Sequence, residues 1–254
     1  MKTIAVIPAR LESTRLPRKM LREIAGKPLV GWTYEAVRRS PLLADVIIAT
    51  DSEEILQACR RHGWKVQMTS SAHRSGTERV HEISNSISAD LYVNVQGDEP
   101  LVRPEQIAAL LDVMKDNVVR DKPMNDGLAN DLIPQVGTVK TPCPPGEIQN
   151  PNAVKVVTAA DGRALYFSRA TIPFDRDQTS PPYFKHLGLY AYRKATLDRF
   201  VNLPESRLEM TERLEQLRFL ENGIAIHVAE TPYDSIGVDT EEDFRRVAAI
   251  LNKP

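Results

Sequence analysis

Thr3-Ile4-Ala5-Val6-Ile7-Pro8 runs directly into Ala9-Arg10-Leu11-Glu12-Ser13-Thr14-Arg15-Leu16-Pro17-Arg18-Lys19, and the junction of these two stretches decides the fold. The first is a short apolar run closed by proline, the pattern of a buried strand. The second reads as loop, continuing to Arg22, and crowds cations and hydroxyls behind the strand. Pro28 then opens a helix to about Arg39, with apolar Leu29, Trp32 and Val37 near helical spacing. The same alternation returns downstream. Asp45 to Thr50 predicts a second strand, ended by Asp51-Ser52 as the capping pair of a helix from Glu53 to His62. Lys65 to Met68 is a third strand, and a polar loop from Thr69 to Thr77 leads into a helix of roughly ten residues. Leu91 to Gln96 is a fourth strand, followed by the turn Gly97-Asp98-Glu99-Pro100 and a helix from Pro104 through Met114.

Strands alternating with helices predict an α/β fold with a mostly parallel central sheet flanked by helices. Ligands of such sheets bind beyond the carboxyl ends of the strands, so the polar segments after the first, second and fourth strands should meet at one crevice. Neither G-x-G-x-x-G nor G-x-x-x-x-G-K-[ST] occurs, which removes most support for a dinucleotide fold or a P-loop NTPase.

Between Pro123 and Pro151 lie six prolines, and Thr141-Pro142-Cys143-Pro144-Pro145-Gly146 reads as irregular. Beyond it, Ala153 to Thr158, Ala164 to Ser168 and Leu187 to Tyr192 have strand character without long intervening helices, which predicts a small, partly antiparallel lobe. Glu205 to Asn222 reads as one amphipathic helix stopped by Gly223. Ile224 to Ala229 is a late strand and Glu241 to Leu251 a closing helix. The pattern predicts a single domain over 1–254, with an alternating half at 1–120 and the smaller lobe at about 150–200.

The 254 residues are 42% hydrophobic and 26% charged, with a formal net charge of −1, which argues against disorder, a disulfide scaffold and a nucleic-acid-binding surface. No apolar stretch is long enough to span a bilayer, and the N-terminal run lacks the pattern of a signal peptide. Cys59 and Cys143 form no metal-spacing motif, so a cytoplasmic protein is expected. Residues 1–40 nevertheless hold nine Lys/Arg against three acids. That local excess points to an anion-binding site. Arg38 and Arg39 suit a solvated helix face, whereas Arg10, Arg15 and Lys19 punctuate the loop behind the first strand. Arginine forks and a lysine point charge suit polyphosphate oxygens. Asp98 and the distant Asp239 are carboxylates of the kind that hold Mg²⁺ together with substrate phosphates, although each also reads as an ordinary turn aspartate. His62, His73, His81 and His227 pair into no metal or nucleophile arrangement.

The motifs then become specific. Ile7-Pro8-Ala9-Arg10 with Ser13, Arg15-Leu16-Pro17 and Lys19 resembles the nucleotide loop of CMP-Kdo synthetases, the 3-deoxy-manno-octulosonate (Kdo) cytidylyltransferases. The likeness continues in order through Ala49-Thr50-Asp51, Ser75-Gly76-Thr77-Glu78-Arg79, Asn94-Val95-Gln96-Gly97-Asp98-Glu99-Pro100 and Asn150-Pro151-Asn152-Ala153-Val154-Lys155. It resumes at Ala164 to Pro173, His186-Leu187-Gly188-Leu189-Tyr190, Leu214-Glu215-Gln216-Leu217-Arg218 and Gly237-Val238-Asp239-Thr240. Arg18-Lys19-Met20 replaces the family's more usual Gly-Lys-Pro, and Asn117 to Gln149 matches only loosely.

The resemblance implies a nucleotide-diphospho-sugar transferase-like fold, with 1–120 as the nucleotide-binding half and about 150–200 as a small lobe for sugar binding and dimerisation. It further implies Mg²⁺-dependent transfer of CMP from CTP to Kdo for lipopolysaccharide synthesis, by a homodimer that binds neither nucleic acid nor membrane. Pro8, Ala9, Arg10, Ser13, Arg15, Lys19, Ser75, Gly76, Gln96 and Asp98 would bind the nucleotide. Lys19, Arg10, Asp98 and Asp239 would be catalytic, with Asp98 and Asp239 as metal ligands. Arg169, His186, Tyr190, Glu215 and Gln216 would bind the sugar. Read without the resemblance, His186 is a packed or solvated histidine, Tyr190 a core aromatic, Glu215 and Gln216 face solvent, and Arg79 makes a structural ion pair. Transfer to 8-amino-Kdo or to sialate, and a catalytically silent nucleotide-binding protein, are the alternatives. A metal-using glycosyltransferase would want an Asp-x-Asp pair, which Asp98-Glu99-Pro100 is not.

Overall fold

A computed structural model describes residues 1–13, 15–115 and 133–252. Thr14 and the first part of the proline-rich stretch lie outside them. In chain order the elements are β1 (Thr3–Ala9), β2 (Glu23–Ile24), β3 (Lys27–Pro28), α1 (Leu29–Arg38), β4 (Asp45–Thr50), α2 (Glu53–Arg61), β5 (Val66–Met68), α3 (Gly76–Ser86), β6 (Leu91–Val95) and α4 (Pro104–Asp112). Then come β7 (Val136–Pro142), β8 (Lys155–Thr158), β9 (Ala164–Ser168), β10 (Phe184–Tyr192), α5 (Lys194–Phe200), α6 (Arg207–Glu212), α7 (Gln216–Glu221), β11 (Ile226–Glu230) and α8 (Glu241–Leu251). The chain forms two compact units, Met1–Ile107 with Ser235–Pro254, and Ala108–Asp234. Among the described residues no helix is long and apolar enough to cross a membrane.

In the first unit the strands of the main sheet are parallel in the order β5-β4-β1-β6. β1 is buried along its whole length, as its apolar run requires. After β1 the chain builds outward through β4 to β5, then crosses back to place β6 on the other flank. The order therefore reverses between β1 and β6, which is where a crevice opens at the carboxyl ends of such strands. Pairing of β1 to β6 ends at Val6↔Asn94, whereas pairing to β4 continues to Ala9↔Thr50. Pro8 can sit in this central strand because its missing donor faces the flank that is no longer paired. Ala25 and Gly26, both at positive φ, turn the β2–β3 hairpin. Leu16, Ile24 and Leu29 pack with Val238, Phe244 and Val247, which fastens α8 to the loop behind β1.

The second unit is mixed. β7 pairs antiparallel with β10 and parallel with β11, and β8 pairs antiparallel with β9 and with β10. Two sequence expectations are corrected here. Thr141 and Pro142 belong to β7, because Pro142 is its last residue, where a missing N–H interrupts no ladder. The expected helix from Glu205 to Asn222 is two helices, since Arg213 takes left-handed φ 54° and closes α6. Across the break Glu209 accepts from Arg218 Nε at 2.7 Å, although nine helical residues would separate them by about 13.5 Å. Glu212 is turned to accept from Ser168 Oγ at 2.6 Å and the Arg169 N–H at 3.0 Å.

A non-glycine residue in the left-handed region is strained. Arg213→Gly should therefore raise the stability of the chain by ~0.5–1 kcal/mol, read as a higher urea midpoint at unchanged m-value.

Candidate functional site

The polar segments at the reversal point line a cavity of about 270 Å³. From the loop behind β1 come Pro8, Ala9, Arg10, Ser13, Arg15 and Lys19, and from the segment entering α3 come Ser75 and Gly76. Gln96 and Asp98 follow β6, and Asp239 precedes α8. All candidate nucleotide and metal residues thus share one cavity within the first unit. The amino end of α3 lies there too, capped by Ser75 Oγ, which accepts from the Glu78 N–H at 3.3 Å. A helix start of this kind favours an anion.

Lys19 is the hub. Its side chain is only 8% exposed, and its ammonium donates to Asp98 Oδ2 at 2.5 Å and Asp239 Oδ1 at 2.9 Å. Arg15 Nη2 reaches the other Asp239 oxygen at 2.9 Å. Burial works to lower the Lys19 pKa, but the two carboxylates outweigh it and hold the group above its ordinary value. Burial likewise works to raise Asp239, and Lys19 and Arg15 instead hold its carboxyl below the usual range. Arg10 is exposed at the cavity and has no acidic partner among the described residues.

Several other cations are committed elsewhere. Arg18, left-handed at φ 54°, pairs with Glu54, so its charge is directed to α2. Arg22 pairs with Glu241 and lies 4.1 Å from the Phe244 ring centroid. Arg79 is 5% exposed and donates to Asp51 at 2.5 Å, the structural ion pair expected of it.

Glu12, Met20, His73, Arg74 and Arg79, to which sequence reasoning gave no part in binding, also line the cavity. Their proximity in the chain to Ser13, Lys19 and Ser75 was the available signal. Gly97 was quoted only within a motif. A Cβ there would lie 2.9 Å from the Pro8 carbonyl and 3.0 Å from Met20 sulfur, and its own carbonyl accepts from Thr33 Oγ1 at 2.8 Å. At Gly76 a Cβ would meet Pro8 at an ordinary 3.4 Å.

The candidate sugar residues lie in the second unit. His186, partly exposed, sits 3.0 Å from Thr138 Oγ1 through Nε2 and edge-on to Phe167, its ring centroid 5.4 Å from that of Tyr190. Desolvation depresses the imidazole pKa and raises the Tyr190 hydroxyl, the latter helped by Tyr192 and Glu215. Arg169 donates to the carbonyls of Glu212, Pro151 and Arg213. Gln216 is 6% exposed, which corrects the solvent-facing reading: the break at Arg213 turns this position inward.

Comparisons with known proteins identify the family. The cytidylyltransferase family model matches residues 4–226. A 3-deoxy-manno-octulosonate cytidylyltransferase of Koribacter versatilis is 61% identical over 98% of this chain and 90% of its own. Another, from Acidobacterium capsulatum, is 56% identical over 99% and 97%. The structure of a CMP:2-keto-3-deoxy-manno-octonic acid synthetase complexed with CTP superposes with a TM-score of 0.87 at 38% identity, covering 99% of this chain and 98% of that one. A Bacillus anthracis nucleotidyltransferase-like structure, assigned by name as a glucose-1-phosphate thymidylyltransferase, shares the fold at 12% identity and a TM-score of 0.66. With its cavity at the β1–β6 reversal and its matched residues running from end to end, the chain belongs to the cytidylyltransferase family.

Proposed function

We propose that the protein transfers the cytidylyl group of CTP to the anomeric hydroxyl of Kdo, giving CMP-Kdo and pyrophosphate. The observation that carries this reading is the junction of Lys19 with Asp98 and Asp239 at a cavity whose rim is cationic. The names of the relatives and the CTP held by the similar structure support the choice of nucleotide and sugar.

In this reading the hydroxyl attacks the α-phosphorus in line and pyrophosphate leaves. Both the attacked phosphorus and the leaving group then need charge neutralised. Arg10, unpaired with any acid among the described residues, is available to the triphosphate, and Ser13 and the amino end of α3 add neutral donors. Lys19 and Arg15 are charged and placed beside the same cavity. Gln96, Ser75 and Gly76 would contact the nucleotide, and Arg169, His186, Tyr190, Glu215 and Gln216 the sugar. No imidazole or carboxylate of the cavity stands out as an obligatory base.

Mg²⁺ fits the donor set: two carboxylates already share one cation, and hard oxygen ligands completed by substrate phosphates suit it. Asp98 and Asp239 would hold the ion, and when bound it would supply charge neutralisation at the α-phosphate and acidity to the attacking hydroxyl. The two free cysteines, with no membrane-crossing helix among the described residues, support a cytoplasmic setting.

Pyrophosphate release from the purified protein, with Mg²⁺, each of four nucleoside triphosphates and Kdo, 8-amino-Kdo or sialic acid, tests the reaction. Release with CTP and Kdo is expected; preference for another sugar would overturn the acceptor, and silence with every pair would overturn the activity. Lys19→Met should lower turnover by roughly a hundredfold or more. It should also lower stability, most strongly between the ordinary carboxylate value of 3.8 and the ordinary lysine value of 10.5. The depressed Asp239 loses its contribution as pH falls through its folded pKa, and the raised Lys19 loses its own as pH rises through its folded pKa. Urea midpoints of variant and wild type should therefore converge at both extremes. A homodimer is part of the proposal, supported by exposed Leu165, Phe174 and Met210 on the second unit. Sedimentation equilibrium should give twice the chain mass.

A further inference from the structure

The segment between β5 and α3 has no regular structure until its last residue caps the helix, yet it is held at several points. Two carboxylates of α3 do most of this. Glu82 Oε2 accepts from the Ser70 N–H at 2.9 Å and faces His73 Nε2 at 2.5 Å. Glu78 Oε2 accepts from the Arg74 N–H at 2.7 Å and lies 3.7 Å from His73 Nδ1. His73 thus stands between two carboxylates four residues apart on one helix face, where like charges would otherwise repel. Burial works to raise the Glu82 carboxyl, but the Ser70 N–H, His73 and Arg79 outweigh it and keep it ionised. An ionised carboxylate only accepts, so the facing ring nitrogen of His73 is the donor.

The two carboxylates are not among the cavity's lining residues, whereas His73, Arg74, Ser75 and Gly76 are. We infer that His73 is a positioning residue for the nucleotide: pinned between Glu78 and Glu82, it fixes the segment that presents Arg74, Ser75 and Gly76 to the triphosphate-binding cavity. The inference deepens the proposed function and rests on it. Losing the pin leaves the carboxylate junction at Lys19 intact and loosens one wall of the nucleotide site. The cost therefore falls on nucleotide affinity, not on the transfer step.

Calorimetric titration with the triphosphate that wild type binds, and kinetics with CTP and Kdo varied in turn, test this. Loss of one charge-assisted hydrogen bond in His73→Ala should raise Kd and KM for CTP ~10-fold, with kcat and the KM for Kdo within about twofold. His73→Gln, whose amide nitrogen can still donate to Glu82, should recover most of the affinity. Glu82→Gln should weaken binding like His73→Ala, and the double variant no further. Unchanged CTP affinity in His73→Ala would overturn the inference. So would kcat and both KM values changing together, the mark of a general structural lesion. A wild type that binds no triphosphate would overturn the function beneath it, whereas a wild type that binds CTP while His73→Ala binds it equally would overturn the clasp alone.

Discussion

One ammonium group shared by two carboxylates ties the site together. Lys19 lies in the loop behind β1, Asp98 in the turn after β6 and Asp239 just before α8, so its two hydrogen bonds join three segments far apart in sequence. Lys19 alone would be a buried charge and Asp98 a mostly buried one, and removing one partner of such a pair costs far more than the pair itself contributes. Arg15 completes the arrangement on the second oxygen of Asp239. The result is two cations and two anions at one end of the cavity, balanced in charge but rich in groups that can exchange partners with phosphate or a divalent ion.

The rest of the first unit holds these segments in reach. The reversal of strand order between β1 and β6 brings the loop and the turn side by side. The cluster of Leu16, Ile24 and Leu29 with Val238 and Phe244 brings α8 back from the far end of the chain. Thr33 and the absence of a side chain at Gly97 let the turn after β6 lie close beneath Pro8 and Met20. Around that frame the basic excess of the first forty residues is sorted by partner. Arg18, Arg22 and Lys27 pair with Glu54, Glu241 and Glu35, and Arg10 stays exposed at the cavity.

Much of this was legible in the residues. Periodicity and end signals placed β1, α1, β4, α2 and β6 because each carries its own boundary mark, such as Pro28 before α1 and Asp51-Ser52 before α2. The errors fell where distant groups override local preference. Helical spacing continues through Arg213, but Glu209 with Arg218, and Glu212 with Ser168, favour a break. Prolines around Cys143 hid β7, whose pairing depends on β10 and β11, strands distant in sequence. His73 passed as an idle histidine because its partners are carboxylates whose helix face is set only once α3 forms.

By itself, then, the sequence determined the alternation of strands and helices, the cationic loop behind the first strand, and the presence of cations and carboxylates suited to a polyphosphate. These are local: burial pattern, capping and charge are properties of neighbouring residues. Tertiary structure alone decided which cations meet which anions. It placed Asp239 beside Lys19, 220 positions away, sent Arg18 to α2, and set His73 between two carboxylates. Such pairings follow from strand order and from how helices pack on the sheet, and Coulomb energy favours whichever opposite charges the fold brings within about 4 Å.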